Sequence, residues 1–283
     1  HPEMGSMDMM RWAVVMSGAH NPLRADLRRA SITRTARRVA ASMVELLPGP
    51  AGRPVPLVLP DGVDRAGSMA ERLAGKLTAS PSPGLVRSIN AALVLMADHE
   101  LATSTLAVRL AASTHADLCD ALMAGLGTIA GPLHGGASQL AYGLLVDAER
   151  HGVERALDDT LRWQRVLPGF GHTVYKNGDP RFEPLLRLFN QMATTEQVEL
   201  VNAITDLAET NGLPAANVDL ALAAISWSAG MAPDAGRTIF TVARVAGWTA
   251  HYLEELGERP LRFRARAVYA SPGRAGDGGF VQP

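Results

Sequence analysis

The sequence predicts a largely α-helical protein, and three observations support this prediction. Apolar residues recur at helical spacing through most of the 283 residues. Breaks rich in proline and glycine separate these segments, and they interrupt a series of helices rather than a series of strands. Hydrophobic residues make up 47% of the chain and charged residues only 19%, below the roughly 25% that is usual. Many helix faces are therefore expected to be buried against other helices or partner subunits.

Two helices are predicted between Met7 and about Leu47. The preceding letters HPEMGSM have neither the basic start nor the apolar stretch of a signal peptide. They are interpreted as an expression remnant and left out of the predicted fold. The segment AGRPVPLVLPDGVDRAG is rich in proline and glycine and has room for a short extended piece. Helical spacing then returns in MAERLAGKL and in PGLVRSINAALVLMADHE.

Two or three alanine-rich helices are predicted from STLAVRL to AERHG. The GPLHGG motif breaks this run, because proline and paired glycines end one helix and allow another to begin. His134 is therefore expected at a helix junction. The segment PGFGHTVYKNG is predicted to be a loop, followed by a helix with Asp179 as its N-cap and Pro180 as its first residue. Arg181 would then lie in the first helical turn.

The last part of the chain contains two more predicted helices, with Asn217 and Asp234 as their N-caps. The alternating letters RFRARAVY in the tail fit either a short strand or an extended arm. The single cysteine, Cys119, lies in an apolar helical stretch and is predicted to be a small buried hydrophobe. A chain with one cysteine forms no internal disulfide, which fits a reducing compartment such as the cytoplasm.

Charge and hydropathy argue against two classes of partner. The formal net charge is -1 and the sequence pI is about 6.8, so no sequence-wide positive field attracts nucleic acid. The sequence has no run of about 18 apolar residues, so no membrane span is predicted.

Three histidines are candidates for a functional site, because each lies at a predicted element boundary beside an acid or glycines. They are His99 in ADHE, His134 in GPLHGG and His172 in GFGHTVY, where backbone can approach a ligand closely. Zinc is a competing use of three histidines, but their spacing lacks a paired motif such as H-E-x-x-H, so a metal site is not favoured. The other internal histidines have polar or helix-end contexts and are assigned no function: His20, His115, His151 and His251.

Several arginines are candidates for binding a carboxylate, which needs clustered guanidinium donors. They are Arg181, Arg244 and the cluster from Arg262 to Arg266. Their presence beside three boundary histidines favours a ligand-binding protein over a helical scaffold that has no ligand.

Taken in order, six motifs resemble the citrate synthase family: ADHELATST, GPLHGGAS, PGFGHTVYKNGDPR, NVD, VARVAGW and RARAVY. The resemblance covers Ile89 to about Pro272. It implies an all-α, citrate synthase-like fold in which residues 7–135 and 234–283 form a large domain and residues 136–233 a small one. It also implies a homodimer with shared active sites, and relatives with a longer N-terminal region than this chain has.

The resemblance also implies roles for individual residues. His134 would stabilise the enol of the acyl thioester, Asp219 would remove the α-proton, and His172 would polarise the oxaloacetate carbonyl. The implied oxaloacetate contacts, of which the last would come from the other subunit, are His99, His172, Arg181, Arg244 and Arg264. The implied CoA contacts, mainly through backbone atoms of one loop, are Val166, Leu167, Gly169, Gly171 and Lys176.

The expected reaction joins oxaloacetate, acetyl-CoA and water to give citrate and CoA, without a metal or a permanently bound cofactor. A thioester enolate needs a base on one side and a donor at its oxygen, which Asp219 and His134 would supply. The dipole of a helix capped by Asn217 is expected to keep the pKa of Asp219 low. Two departures from the family pattern, Ala102 where asparagine is frequent and LALAA after NVD, remove polar groups near the expected site.

Two alternatives stay open. A 2-methylcitrate synthase would use propionyl-CoA, because one methylene in an apolar pocket changes selectivity by only about 1 to 3 kcal/mol. A truncated, non-catalytic paralogue would bind oxaloacetate or CoA as a sensor.

Overall fold

The computed structural model describes residues 4–50, 67–131, 134–176 and 178–266. These residues form twelve α-helices and no strand, apart from one isolated antiparallel bridge between Phe170 and Ala216. The helices are α1 Ser6–Ala19, α2 Arg29–Glu45, α3 Met69–Leu77, α4 Pro83–Leu95, α5 Thr103–Ser113, α6 Leu118–Ile129, α7 Ala137–His151, α8 Val153–Gln164, α9 Phe182–Asn190, α10 Thr195–Thr210, α11 Val218–Ser228 and α12 Ala235–Glu255. The predicted all-α fold is confirmed.

Polar side chains begin several of these helices, as the sequence predicts. Asn217 is the N-cap of α11, and its side chain accepts a hydrogen bond from the backbone N–H of Asp219. Asp234 holds the N-cap position of α12 without a capping bond from its side chain. Helices α8 and α10 are not predicted from the sequence, although α10 begins with a capping box formed by Thr194 and Gln197.

Two predicted boundaries are wrong. The letters HPEMGSM are predicted to lie outside the fold, yet α1 already begins at Ser6, and Met7, where the first helix is predicted to begin, is buried in the core. Helix α9 begins at Phe182, so Arg181 occupies the N-cap position instead of the first turn. The reason is that the Asp179 carboxylate accepts from the Arg181 N–H and from the Arg181 guanidinium, which folds residues 179–181 into a turn before the helix.

Helix α12 lies at the centre of the packing and contacts α2, α4, α5, α6, α7 and α11. Its buried side chains include Trp248 and Tyr252, both fully inaccessible to solvent. Because α12 is surrounded by other helices, the side chains that it presents to a pocket are held on a rigid support. Cys119 is also buried, as predicted.

A glycine in α12 allows the chain just before His99 to pass very close to this helix. The N–H of Gly247 lies 3.0 Å from the carbonyl oxygen of Ala97. A Cβ atom at position 247 would lie 2.2 Å from the same oxygen, so any other residue would displace the segment. The turn between α4 and α5 is therefore anchored directly to α12.

Two predicted extended pieces are left without support. Within RFRARAVY, residues 262 and 263 lie in a turn, residues 264–266 have no regular structure, and residues 267–269 lie outside the described residues. The same is true of residues 51–66 in the segment rich in proline and glycine. Within the described ranges, no helix has both the length and the apolar character needed to cross a bilayer.

Candidate active site

One pocket brings together six of the residues that the sequence singled out. It has a volume of about 530 Å³, and its lining includes His99, His134, His172, Arg181, Asp219 and Arg244. These residues come from the α4–α5 turn, the α6–α7 junction, the loop before α9, and helices α11 and α12. The fold thus gathers residues that are far apart in the sequence at one place.

His134 lies at the junction of α6 and α7, as predicted, and a serine fixes the orientation of its ring. Its Nε2 lies 2.8 Å from the Oγ of Ser104, near the start of α5, and its ring makes an edge contact with Phe240. Burial, followed by the charge of Arg244, lowers the pKa of His134 below its usual value. The imidazole is therefore neutral at pH 7 and can donate one hydrogen bond.

His172 is held by backbone donors that determine which ring nitrogen carries the proton. Its Nδ1 accepts from the N–H groups of Val174 at 3.0 Å and Tyr175 at 3.1 Å. The proton of the neutral ring is then on Nε2, which lies 3.4 Å from Nη2 of Arg181. Burial first, and then Arg181, lower the pKa of His172. Two donors face each other here, and an oxygen atom of a ligand between them would accept from both.

Arg181 is held in place by the buried carboxylate of Asp179, which the sequence predicts only as a helix cap. Asp179 accepts from Nε of Arg181 at 2.9 Å and from Nη2 at 2.8 Å, in the paired geometry that arginine and carboxylate favour. Asp179 also accepts from the N–H of Val218, the first residue of α11, at 3.1 Å. Burial raises the pKa of Asp179, but the bonds from Arg181 outweigh it and the pKa is lowered. Asp179 thereby links Arg181 to the helix that carries Asp219.

His99 presents an unpaired nitrogen to the pocket. Its Nε2 is buried and has no hydrogen-bond partner within the described part of the chain. Its ring lies 5.1 Å from the ring of His172 and 5.2 Å from that of Tyr175. The next residue, Glu100, has a φ of 48°, a strained value for a side chain of this size. A strained turn beside an unpaired buried nitrogen is typical of a binding site.

Arg244 supplies a second guanidinium group from α12. The residue is 1% exposed, donates from Nε to the carbonyl oxygen of Met96, and lies 4.8 Å from the ring centre of Phe240. Its Nη1 is buried and lacks a partner among the residues described. Burial, with a smaller effect of Arg181, lowers the pKa of Arg244 to about 10, so the group stays cationic at neutral pH. Two cationic side chains in one pocket favour a ligand with two carboxylates.

The expectation of a low pKa for Asp219 is wrong. Its N–H is capped by Asn217 as predicted, but burial of the carboxylate raises its pKa to about 6, with Arg181 lowering and Asp179 raising it. Loss of hydration outweighs the helix dipole, which is worth at most about 2 kcal/mol. Asp219 is therefore a stronger base than the helix dipole alone predicts.

Most of the residues implied to bind CoA lie outside this pocket. So does Arg264, which is implied to reach the active site of the other subunit. Gly171 lines the pocket, and the carbonyl of Gly169 accepts from the N–H of Asn217. Leu167 is buried, Val166 is 64% exposed and Lys176 is exposed. Arg264 is exposed and does not line the pocket. The roles of these residues stay predictions.

Together, these features define an all-α protein whose pocket combines cationic and neutral donors with a partly buried base. Comparison with known proteins identifies the family: residues 1–266 match the model described as citrate synthase, C-terminal domain. This chain belongs to the citrate synthase family.

The most informative relatives carry two different names. The chain is 36% identical over 197 residues to citrate synthase 2 of Bacillus subtilis strain 168, with 68% of this chain and 53% of the relative covered. It is 29% identical over 209 residues to 2-methylcitrate synthase 2 of Corynebacterium glutamicum, with 70% and 55% covered. The chain therefore spans about half the length of these two curated relatives.

A solved structure supports the fold. Citrate synthase from Thermoplasma acidophilum, in a ternary complex with carboxymethyl coenzyme A and oxaloacetate, has a TM-score of 0.77. The match covers 99% of this chain and 76% of that one at 24% sequence identity.

Proposed function

We propose that this protein condenses oxaloacetate with an acyl-CoA, acetyl-CoA in the first instance, and releases citrate and CoA. The observation that carries the proposal is the pair of facing donors, Nε2–H of His172 and Nη2 of Arg181, in the same pocket as Asp219 and His134. The donor pair suits a ketone and its adjacent carboxylate. The base and the second neutral histidine suit enolisation of a thioester.

Oxaloacetate fits the charges of this pocket. Its two carboxylates match the two guanidinium groups of Arg181 and Arg244, and its ketone oxygen matches the proton on Nε2 of His172. His99 adds an unpaired ring nitrogen among the residues described. Because Asp179 and backbone groups already orient Arg181 and His172, little side-chain entropy is lost when the ligand binds.

The chemical steps then follow from the remaining residues. Asp219 takes a proton from the α-carbon of the thioester, and His134 donates a hydrogen bond to the enol oxygen. The enolate carbon attacks the ketone carbon, which forms the new C–C bond, and the resulting alkoxide takes the proton from Nε2 of His172. The proton that Asp219 removed from the thioester then returns to His172, so both groups regain their starting states. Water then cleaves the thioester of citryl-CoA to give citrate and the free thiol of CoA. Closure of the small domain, residues 136–233, on the rest of the chain would exclude water until hydrolysis.

The acyl-CoA would enter along the loop before His172. We assign adenine and phosphate contacts to backbone atoms from Val166 to Gly171 and to Lys176. The acyl group would lie near Phe240 and Ala102, since both line the pocket. Ala102 is the N-cap of α5 without a side-chain hydrogen bond, and its small size favours propionyl-CoA as a second candidate substrate.

The test is release of free CoA thiol from acetyl-CoA and from propionyl-CoA, each with and without oxaloacetate. We expect release that requires oxaloacetate, and the ratio of the two kcat/KM values then separates citrate from 2-methylcitrate synthesis. Release that is independent of oxaloacetate would indicate a thioesterase. A folded protein that binds oxaloacetate without any release would support the non-catalytic paralogue instead.

The shared active site is tested with mixed subunits. We propose that Arg264 completes the oxaloacetate site of a second copy of the chain, since it is exposed and outside the pocket of its own subunit. Heterodimers of an Arg264→Ala subunit with an Asp219→Ala subunit should then contain one intact site and recover up to about half of the wild-type turnover per dimer. Verified heterodimers that stay as inactive as either parent would contradict sharing.

A further inference from the structure

A cluster of charged side chains contacts the turn that carries His99 and lies outside the lining of the pocket. We call it the Arg109 cluster, and its members are Asp98, Arg109, His251, Glu254, Glu255 and Arg262. It joins α5, the end of α12, the segment after α12 and the turn that carries His99. None of these residues lines the pocket.

Arg109 is the centre of the cluster and is fixed by two carboxylates. Its side chain is 9% exposed; Nε donates to Glu255 at 2.8 Å and Nη1 to Glu254 at 2.9 Å. Glu255 is fully buried and also accepts from Arg262. Buried ion pairs add little net stability, because desolvation offsets their attraction. Such ion pairs instead fix one arrangement of the groups around them.

The same arginine determines the tautomer of His251. A guanidinium group only donates, so Nδ1 of His251 must accept from Nη1 of Arg109 at 2.9 Å. The proton of the neutral ring is then on Nε2, which donates to the carboxylate of Asp98 at 3.1 Å. A directed chain of hydrogen bonds therefore runs from Arg109 through His251 to the residue just before His99.

Helix α12 holds this turn at three points, and the first is the hydrogen bond from Nε of Arg244 to the carbonyl of Met96. Gly247 donates from its backbone to the carbonyl of Ala97, and His251 donates from its ring to the side chain of Asp98. The turn needs this support because Glu100 is strained and Nε2 of His99 has no partner among the described residues. The ring of His99 contacts the rings of His172 and Tyr175, but no hydrogen bond from a described residue to its Nε2 fixes its orientation.

We propose that Arg109 and His251 are positioning residues, which hold the Asp98–His99 turn so that His99 is oriented for a carboxylate ligand before the ligand arrives. The proposal rests on the proposed function only for the identity of that ligand, oxaloacetate. It predicts a loss of pre-organisation, and therefore of affinity, when the hydrogen-bond chain is cut.

The decisive variant is His251→Leu, which keeps the volume of the side chain and removes both ring nitrogens. We expect the dissociation constant of oxaloacetate, measured by calorimetry, to rise about tenfold, and the ring resonances of His99 to shift and broaden in NMR spectra of histidine-labelled protein. If the enzyme is active, KM for oxaloacetate should rise while kcat changes less than threefold. The matched control is His151→Leu, at an exposed histidine at the end of α7.

Conservative variants separate positioning from a purely structural role. Asp98→Asn keeps an acceptor for His251 and should retain most of the affinity, whereas Asp98→Ala should lose as much as His251→Leu. A lower melting temperature with unchanged oxaloacetate affinity and unchanged His99 resonances would overturn the proposal. Absence of thiol release from the wild type would count against the proposed function alone, because the His99 resonances report its orientation without any ligand or turnover.

Discussion

Replacing His134 with alanine is expected to lower kcat by about 10²- to 10³-fold, the usual effect of removing one oxyanion donor, and to leave oxaloacetate affinity within about twofold. The physical reason is that the enol oxygen develops its charge only in the transition state, so its donor contributes little to binding of the ground state. Steady-state thiol release gives kcat, and calorimetric titration with oxaloacetate gives the affinity.

Ser104→Ala supplies the comparison for this prediction. It leaves the imidazole present but removes the hydroxyl that lies 2.8 Å from Nε2, so we expect a smaller loss of kcat, about tenfold. If His134→Ala turns over at the wild-type rate in a folded protein, His134 has no part in enolisation. Equal losses in both variants would instead mean that ring orientation, and not the ring itself, limits the reaction.

Local patterns were sufficient to predict most of the fold. Helical spacing and breaks at proline and glycine depend on neighbours in the sequence, which is why most helices, the Asn217 cap and the buried Cys119 are confirmed. The start of α9 was missed because the Asp179 side chain binds Arg181 instead of capping the helix. The same carboxylate also accepts a hydrogen bond from Val218, which is distant in the sequence.

The pocket shows the same division between local and long-range information. Short motifs identified the three histidines and two arginines, because glycines, an acid and a helix start mark their positions locally. Ser104 lies inside the motif ADHELATST, yet only the fold shows its contact with His134. His251 was assigned no function from its helix-end context, and its partners Asp98 and Arg109 are more than 140 residues away in the sequence.

The pKa of Asp219 is the clearest case in which tertiary packing overrides a local rule. The dipole at the start of α11 favours the charged form of the Asp219 carboxylate. Packing of the site removes water from the same carboxylate, and the cost of desolvation is larger. The resulting pKa of about 6 suits a general base that works near neutral pH better than a pKa below 4 would.

Asp219→Asn is expected to abolish measurable turnover, with a loss of at least about 10³-fold, because an amide cannot accept the α-proton. In the wild type, kcat/KM should fall as the pH drops below about 6, where Asp219 becomes protonated. His134 and His172 also titrate in the acid range, so the pH profile of activity alone does not identify the base. The folding stability of the wild type and of Asp219→Asn tests the raised pKa of Asp219 separately from activity.

The sign of the stability difference follows from the raised pKa. A carboxyl group whose pKa is higher in the folded state than in the unfolded state stabilises the fold at low pH, and this stabilisation is lost as the pH rises through the folded pKa of about 6. The Asp219→Asn protein has no carboxyl group at this position, so it does not lose this stabilisation as the pH rises. Its free energy of unfolding, relative to the wild type, should therefore increase by about 1 to 2 kcal/mol between pH 4.5 and pH 7.5.

Denaturant titrations at both pH values measure this difference, with Asp158→Asn on the surface of α8 as the control. A difference that does not change with pH would show that the pKa of Asp219 is not raised, and a difference that decreases would restore the low pKa expected from the helix dipole.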